Sequence, residues 1–464
     1  MNCISTRGAA LPVSFVEAML GGLAPDGGLY VPETWPQVSG AEIAGFAGRP
    51  YHVVAASILQ RFTEPELSAE VITSLCEQAY GAFDHPAVTP LVQIGSGSFL
   101  LELFHGPSLA FKDLAMQLIA GLYDHLLTAR GRVATIVCAT SGDTGGAAVE
   151  AFRGHGSIRL VALFPAGRIS EVQRRFMTTT EEPNIRAVAV DGDFDDCQSI
   201  LKALFQDEAF VRAVDLAGVN SINLARIVAQ SAYFFAAAAA LGSPERKVAF
   251  AIPTGNFGDA YSAYAAARMG LPVEQVIVAT NANDIVARAL ENGRYERGPS
   301  LSTQSPAMDI QVASNFERLW FECCGRDAEQ TVSAFRAFAA DGAVDIPSAT
   351  HAAMRRWFHA AAIDEDHTTA QMLAVFGESE LVIDPHTAVA LAAARTIGNV
   401  GSTAPTVILS TAHPAKFPEA VRAALGLEPP LPPRVRRLRG LPESFDRLPA
   451  DVDAVKAYVR AWAS

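Results

Sequence analysis

From about residue 97 onward, short apolar runs alternate with stretches of helical period. "RVATIVCAT" leads into "SGDTGGAAVEAF", "IRLVALFPAG" into "ISEVQRRFMTTT", and "IRAVAVDGDFDD" into "CQSILKALFQ". "KVAFAIPTGNFGDAYSAYAAARMG" passes from strand through loop to helix, "VEQVIVATNAND" follows it, and "APTVILSTAHPAKFPEAVRAAL" repeats the form near the end. Strands and helices alternating at this spacing imply βαβ units, and therefore an α/β fold of parallel sheets flanked by helices. A chain of 464 residues exceeds one compact core, so two to three domains are expected. Residues 1–95 read as a helical lead-in around two glycine turns, 96–230 and 231–430 as α/β segments, and 431–464 as a C-terminal tail reached through an irregular exit, "LEPPLPPRVRRLRGLP".

Composition narrows the function classes. The formal net charge is −13 and the basic residues form no patch interleaved with aromatics, which argues against a nucleic-acid partner. Six scattered cysteines, without a CxxC or a histidine at ligand spacing, imply no metal site and reduced thiols in a cytoplasmic enzyme. "MNCISTRGAALPVSF" lacks the charged and apolar regions of a signal peptide. The longest uncharged run, "IVAQSAYFFAAAAALGSP", is interrupted by Gln230, Ser231 and Tyr233 and reads as a buried helix, so no membrane span is expected.

Chemistry enters with "LFHGPSLAFKDLAMQLI", residues 103–119. Lys112 stands where the apolar strand "SFLLELF" has ended and a helix with Leu114, Ala115, Leu118, Ile119, Leu122 and Leu126 begins. Burial disfavours an ammonium group, and so does the positive end of a helix dipole. Both favour a neutral amine, the form that attacks a carbonyl to make a Schiff base. The structural alternative is a lysine that snorkels out or pairs with the adjacent Asp113. No other lysine in the sequence reads as being so placed.

Two small-residue loops, "TSGDTGGAA" (140–148) and "PTGNFGDA" (253–260), each join a strand to a helix. Either can be a plain turn, or can aim backbone N–H groups and a helix N-terminus at an anion. Neither fits a P-loop or GxGxxG. Ligands of open α/β sheets sit at the carboxyl ends of the strands, where Lys112, both loops and the "ST" of "VILSTAHPAKF" all fall. An aldehyde-seeking lysine, an anion cradle and a hydroxyl beyond a strand end suggest pyridoxal phosphate as cofactor.

"LELFHGPSLAFKD", "ATSGDTGGAA", "AIPTGNFGDA", "SPAMDIQVASNFER", "STAHPAKFPEA" and the opening "STRG…SFVEAMLGGLAPDGGLYVPE" closely resemble the threonine synthase family, over residues 5–420. These are pyridoxal-phosphate enzymes of fold type II, with a tryptophan synthase β-like architecture. The resemblance implies that Lys112 bears the Schiff base in a smaller catalytic domain, 96–230, and that 231–430 is a larger cofactor-binding domain. It implies a cofactor-phosphate site at Gly255, Asn256, Phe257 and Gly258, and a hydroxyl near the pyridine nitrogen from Thr411 or, second, Ser410. Ser141, Gly142, Asp143 and Thr144 would receive the substrate α-carboxylate. Ser221, Asn223, Arg226, Asn315 and Arg318, in "NSINLARIVAQ" and "SNFER", would face the cleft and hold a substrate phosphate, or else cap helices and pair with carboxylates. His105 and His413 read as structural. The implied reaction converts O-phospho-L-homoserine and water to L-threonine and phosphate, in a monomer or homodimer. A phosphohomoserine phospholyase, or a related lyase or dehydratase of the same fold, is the alternative.

Overall fold

The computed structural model describes residues 1–398 and 403–463. Two largely parallel sheets carry the fold. The larger has six strands in the order Phe358–Ala362, Val273–Thr280, Val248–Pro253, Thr406–Ser410, Ser98–Glu102 and Leu91–Gln93, with only the last antiparallel to its neighbour. The smaller has five, all parallel: Asp446–Pro449, Ile185–Asp191, Ile158–Pro165, Ala134–Ala139 and Leu216–Ala217. Central strands such as Val248–Pro253 are buried along their whole length, because helices cover both faces. That explains their unbroken apolar sequence.

The alanine-rich run forms the helix Leu224–Ala240, buried on nearly every side. Its small side chains let it pack against five helices, Phe15–Gly21, Gly40–Gly45, Tyr51–Thr63, Lys112–Ala129 and Gly258–Arg268. Among the described residues no helix is long and apolar enough to cross a membrane. All six cysteines are free, and no cluster of metal-binding side chains occurs among the described residues.

Sheet membership cuts across the expected division of the chain. The strand Ser98–Glu102, which precedes Lys112, pairs with Thr406–Ser410 in the larger sheet instead of joining the smaller one. The lead-in is helical but also holds a three-stranded antiparallel sheet of Asn2–Ser5, Val13–Ser14 and Tyr30–Pro32. The proline-rich exit is not irregular throughout, since Pro433–Arg439 within it is a helix, and the tail beyond it is ordered. It adds Asp446–Pro449 to the edge of the smaller sheet, then the helix Val452–Ala463. Val455 and Val459 of that helix complete a core with Cys197, Ile200, Leu204 and Phe210. Its earlier part is clamped to the helix Glu171–Thr178 by Arg174 Nε on Glu443 at 2.8 Å and by the Ser444 N–H donating to Thr178 O at 2.6 Å. Proline density hid this, since prolines at the start of Pro433–Arg439 open a helix as readily as they break one.

Val459 is fully buried, so Val459→Ala removes two methyl groups and leaves a void. The change is expected to destabilise the smaller-sheet unit by about 2 kcal/mol, read as a lower urea midpoint in far-UV circular dichroism.

Candidate active site

Lys112 is the first residue of the helix Lys112–Ala129 and is 9% exposed, on the wall of a cavity of about 850 Å³. The carboxyl ends of both parallel sheets open onto this cavity through Ala139 and Pro253. Lys112 Nζ lies 4.7 Å from the centre of the Phe111 ring and 3.5 Å from Asp143 Oδ2. It does not pair with its neighbour Asp113, whose two oxygens accept from Ser108 N and Ser108 Oγ, each at 2.7 Å. Burial lowers the proton affinity of Lys112, and the nearby Lys416 and Arg226 lower it further, while Asp143 opposes them. The sequence argument for a readily neutralised amine is thus met by desolvation first.

Asp143 opens the helix Asp143–Phe152. Its Oδ1 accepts from Lys416 Nζ at 2.8 Å and from Gln173 Nε2 at 3.0 Å. Burial works against the carboxylate, yet Lys416 and Lys112 outweigh it and hold Asp143 well below the usual carboxylate range. The preceding turn is closed by Thr140 Oγ1, which accepts from Gly142 N at 2.9 Å and Gly145 N at 2.8 Å. Gly142 has φ +131°, and a Cβ there would meet the Gln173 side chain at 2.5 Å. Only glycine fits both demands. The N-cap Gly142 has no side chain to offer, and Thr140 takes only Gly145 N of the first turn, which leaves the N–H groups of Asp143 and Thr144 to meet an anion.

A second uncapped helix, Gly258–Arg268, points into the same cavity. Phe257 precedes it in the left-handed region at φ +61°, with its ring locked against Phe316 and Phe358 at 5.8 and 5.3 Å. Burying the ring behind the loop turns the backbone of Gly255–Gly258 towards the cavity. Gly255 is required for a further reason, since a Cβ there would lie 2.7 Å from Ala307 O and 3.2 Å from Met308 Cα. Thr411 also lines the cavity, and its carbonyl accepts from Phe111 N at 2.8 Å.

Arg226 completes the wall, 4% exposed, and its Nε has no hydrogen-bond partner among the described residues. Burial lowers its proton affinity and Asp259 works against that. Asp259 itself is pushed up to about 7 by burial, with Tyr233 and Arg226 opposing. A buried guanidinium with an unmet donor, two open helix N-termini and a desolvated lysine suit a ligand with a carbonyl and more than one anionic group. Pyridoxal phosphate carrying an anionic substrate meets that description.

Comparison with known proteins agrees along the whole chain. Family models match as threonine synthase N terminus over residues 2–80, pyridoxal-phosphate dependent enzyme over 82–412, and threonine synthase, C-terminal, over 387–459. The chain is 45% identical to the threonine synthase of Pseudomonas aeruginosa, across 99% of this chain and 98% of that protein. With the threonine synthase of Escherichia coli it shares 36% identity over 96% of each. It superposes on the PLP-bound threonine synthase of Brucella melitensis with a TM-score of 0.97 at 48% identity, covering 100% of this chain and 99% of that one. The chain belongs to the threonine synthase family. It is a pyridoxal-phosphate-dependent enzyme of fold type II.

Of the residues nominated from sequence, Lys112, Asp143, Thr144, Ser221, Arg226, Thr411 and the loop Gly255–Gly258 line the cavity. Ser141 lines an adjoining pocket of about 80 Å³ that shares Lys112, Asp143 and Thr144 with the larger one. Gly142 shapes the turn without lining it. Ser410 sits behind Thr411, with its Oγ 2.9 Å from Thr387 Oγ1. Three others do not face the cleft as expected. Asn223 caps its helix by accepting from Ala225 N at 3.0 Å and donates to Met19 O at 2.8 Å. Asn315 Nδ2 donates to Ser221 O and Asn256 O, each at 3.1 Å. Arg318 is fully buried, with Nε on Tyr30 O at 2.9 Å, Nη2 on Ile222 O at 2.6 Å, and Nη1 on Asn315. Burial pushes it down to about 10. A guanidinium already spent on backbone carbonyls has no fork left for a substrate phosphate.

The expectation that Lys112 is unique in its placement also fails. Lys416 is 1% exposed and reaches the same Asp143 from beneath. "HPAKF" offered no periodicity to mark it, because it lies on a single turn, Pro414–Lys416. His386 was missed as well. Its Nδ1 is 2.7 Å from Asp384 Oδ2, and its Nε2 accepts from Ala307 N at 3.3 Å, bracing the segment packed on Gly255. His413 is structural in its contacts, with Nδ1 accepting from Ala415 N, and burial pushes it down to about 4.

Because Gly255 is hemmed in by the protein's own backbone, Gly255→Ala should destabilise even the cofactor-free protein. A loss of about 1–3 kcal/mol is expected in its thermal unfolding, alongside weaker cofactor retention. An unaltered cofactor-free protein would assign the constraint to the cofactor alone.

Proposed function

We propose that this enzyme converts O-phospho-L-homoserine and water to L-threonine and phosphate, with Lys112 as the residue that carries the cofactor. The observation that bears most weight is the meeting of Lys112, two uncapped helix N-termini and the partnerless Arg226 in one cavity. When bound, the cofactor supplies the electron withdrawal that lets protons leave the substrate's Cα and then Cβ. Lys112, released by the incoming substrate amine, takes the proton from Cα. Its low proton affinity leaves it free to accept one, and Asp143 at 3.5 Å steadies the ammonium that results.

The loop Gly255–Gly258 with its helix supports a cofactor-phosphate site, and Thr411 supports a neutral partner for the ring nitrogen. Such a hydroxyl does not hold that nitrogen protonated. The α-carboxylate fits the backbone N–H groups of Ser141, Asp143 and Thr144, with Gly142 shaping the turn between them. The Asp143 side chain is itself a carboxylate between two lysines, so it orients the site and does not bind the substrate anion. Arg226 fits the departing phosphate, where an unpaired buried cation offsets the charge that develops. With phosphate gone, one proton is delivered to Cγ, which becomes the methyl of threonine, water adds its oxygen at Cβ, and a proton returns to Cα, while the walls of the cleft keep bulk solvent from diverting the sequence. Six unpaired cysteines accord with a reducing compartment, and we assign the reaction to the cytoplasm.

Lys112→Ala is expected to cut turnover at least about 1000-fold. Borohydride reduction of the native enzyme followed by peptide mapping should label Lys112, and a label elsewhere would overturn the assignment. Product analysis separates this reaction from that of a phospholyase, which would release 2-oxobutyrate.

The two arginines should behave differently. Losing one charge-assisted hydrogen bond costs about 1.5–3 kcal/mol, so Arg226→Ala should lower kcat/KM for phosphohomoserine roughly 10- to 100-fold. Slow deamination of L-serine, which has no phosphate, should change far less. Arg318→Ala should harm both substrates and stability together, because it breaks buried backbone contacts. Equal losses on both substrates for Arg226→Ala would remove it from the phosphate site.

A further inference from the structure

Lys416 does not line the cavity, yet it is one of the most deeply buried charges in the protein at 1% exposure. Burying an ammonium is costly unless it is paired and hydrogen-bonded. Its Nζ donates to Asp143 Oδ1 and to Ser108 O, each at 2.8 Å, and lies 5.5 Å from the centre of the Phe176 ring. These contacts join four elements: the turn after Thr406–Ser410, the loop before Lys112, the start of Asp143–Phe152 and the helix Glu171–Thr178. Asp143 therefore stands between two lysines, bonded through one oxygen to Lys416 and facing Lys112 with the other at 3.5 Å.

We infer that Lys416 is a positioning residue for the reaction, acting on Lys112 through Asp143. Paired with Lys416, Asp143 stays ionised and turned so that only its second oxygen reaches Lys112. The carboxylate's charge is then shared, and Lys112 holds its proton less tightly than it would in an isolated lysine–aspartate pair. That sharing lets one group accept a proton from substrate and give it up again. The charged groups facing Lys112 are Asp143 and Asp259, which favour its protonated form, and Lys416 and Arg226, which oppose it. Those near Lys416 are Asp143, Asp113, His413 and Lys112 itself.

The test is spectroscopic and needs no turnover. It rests on Lys112 bearing the cofactor, which peptide mapping decides separately. Absorbance of the cofactor bound in the holoenzyme is followed against pH. In Lys416→Met the repulsion of one cation disappears and Asp143 turns wholly to Lys112. Both effects strengthen proton binding, so the midpoint should rise by about one pH unit. In an Asp143→Asn background the same change should move the midpoint by less than half as much. No shift, a downward shift, or an equal shift in both backgrounds would overturn the inference. If Lys416→Met fails to fold, the cause should be the carboxylate left unpaired, and the double variant Lys416→Met/Asp143→Asn should fold and bind cofactor again. A double variant as defective as the single one would give Lys416 a packing role only.

Discussion

The parallel pairing of Thr406–Ser410 with Ser98–Glu102 is the constraint on which the site depends. It joins segments some three hundred residues apart, and beyond the strand ends the two segments meet again in an antiparallel bridge between Ala110 and Ala412. The Leu103 N–H donates to Ser410 O at 2.9 Å, the Phe111 N–H to Thr411 O at 2.8 Å, and the His413 N–H to Leu109 O at 3.1 Å. Through those bonds the loop carrying Lys112 and the turn carrying Thr411 and Lys416 become one rigid wall. A slip of one residue would exchange the faces of every side chain in the pair. Lys112 would then no longer meet Asp143, which arrives from the other sheet.

Electrostatics follows from that placement. Taken singly, each charge in the cleft is expensive, and their arrangement offsets the expense. Lys416 and Gln173 fix Asp143, Asp143 steadies Lys112, and Asp259 stands within electrostatic reach of Arg226 without forming a direct pair. The C-terminal segment has a share in this arrangement. Glu443 and Ser444 hold the helix Glu171–Thr178, which presents Gln173 to Asp143 and closes on Gly142. A segment distant from the cleft thus braces the carboxylate that faces Lys112.

Much of the cleft was legible in the sequence because its parts sit at strand-to-helix junctions, where local pattern is strongest. Lys112 at the head of an apolar helix, the glycine turn before Asp143 and the loop before Gly258 are each a departure from the surrounding period. Asn223, Asn315 and Arg318 were misread because a polar side chain within a motif looks the same whether it faces a ligand or a carbonyl. Lys416 and His386 escaped notice for the opposite reason. They act through partners far away in the chain, Ser108 and Asp143 for one and Ala307 for the other, and no spacing records such contacts.

What the sequence determined by itself was the α/β architecture, the buried helix of small residues, and the positions where backbone must turn sharply between strand and helix. Hydrophobic period and glycine placement are local properties, so they survive being read one window at a time. Only the tertiary structure decided which sheet each strand joined, that the tail closes the smaller sheet, and which of two arginines keeps a donor free. Those outcomes depend on pairing between distant segments and on which carbonyls are left to satisfy in the interior. Hydrogen-bond demand in a buried volume is a sum over the whole fold, and no single stretch of chain contains it.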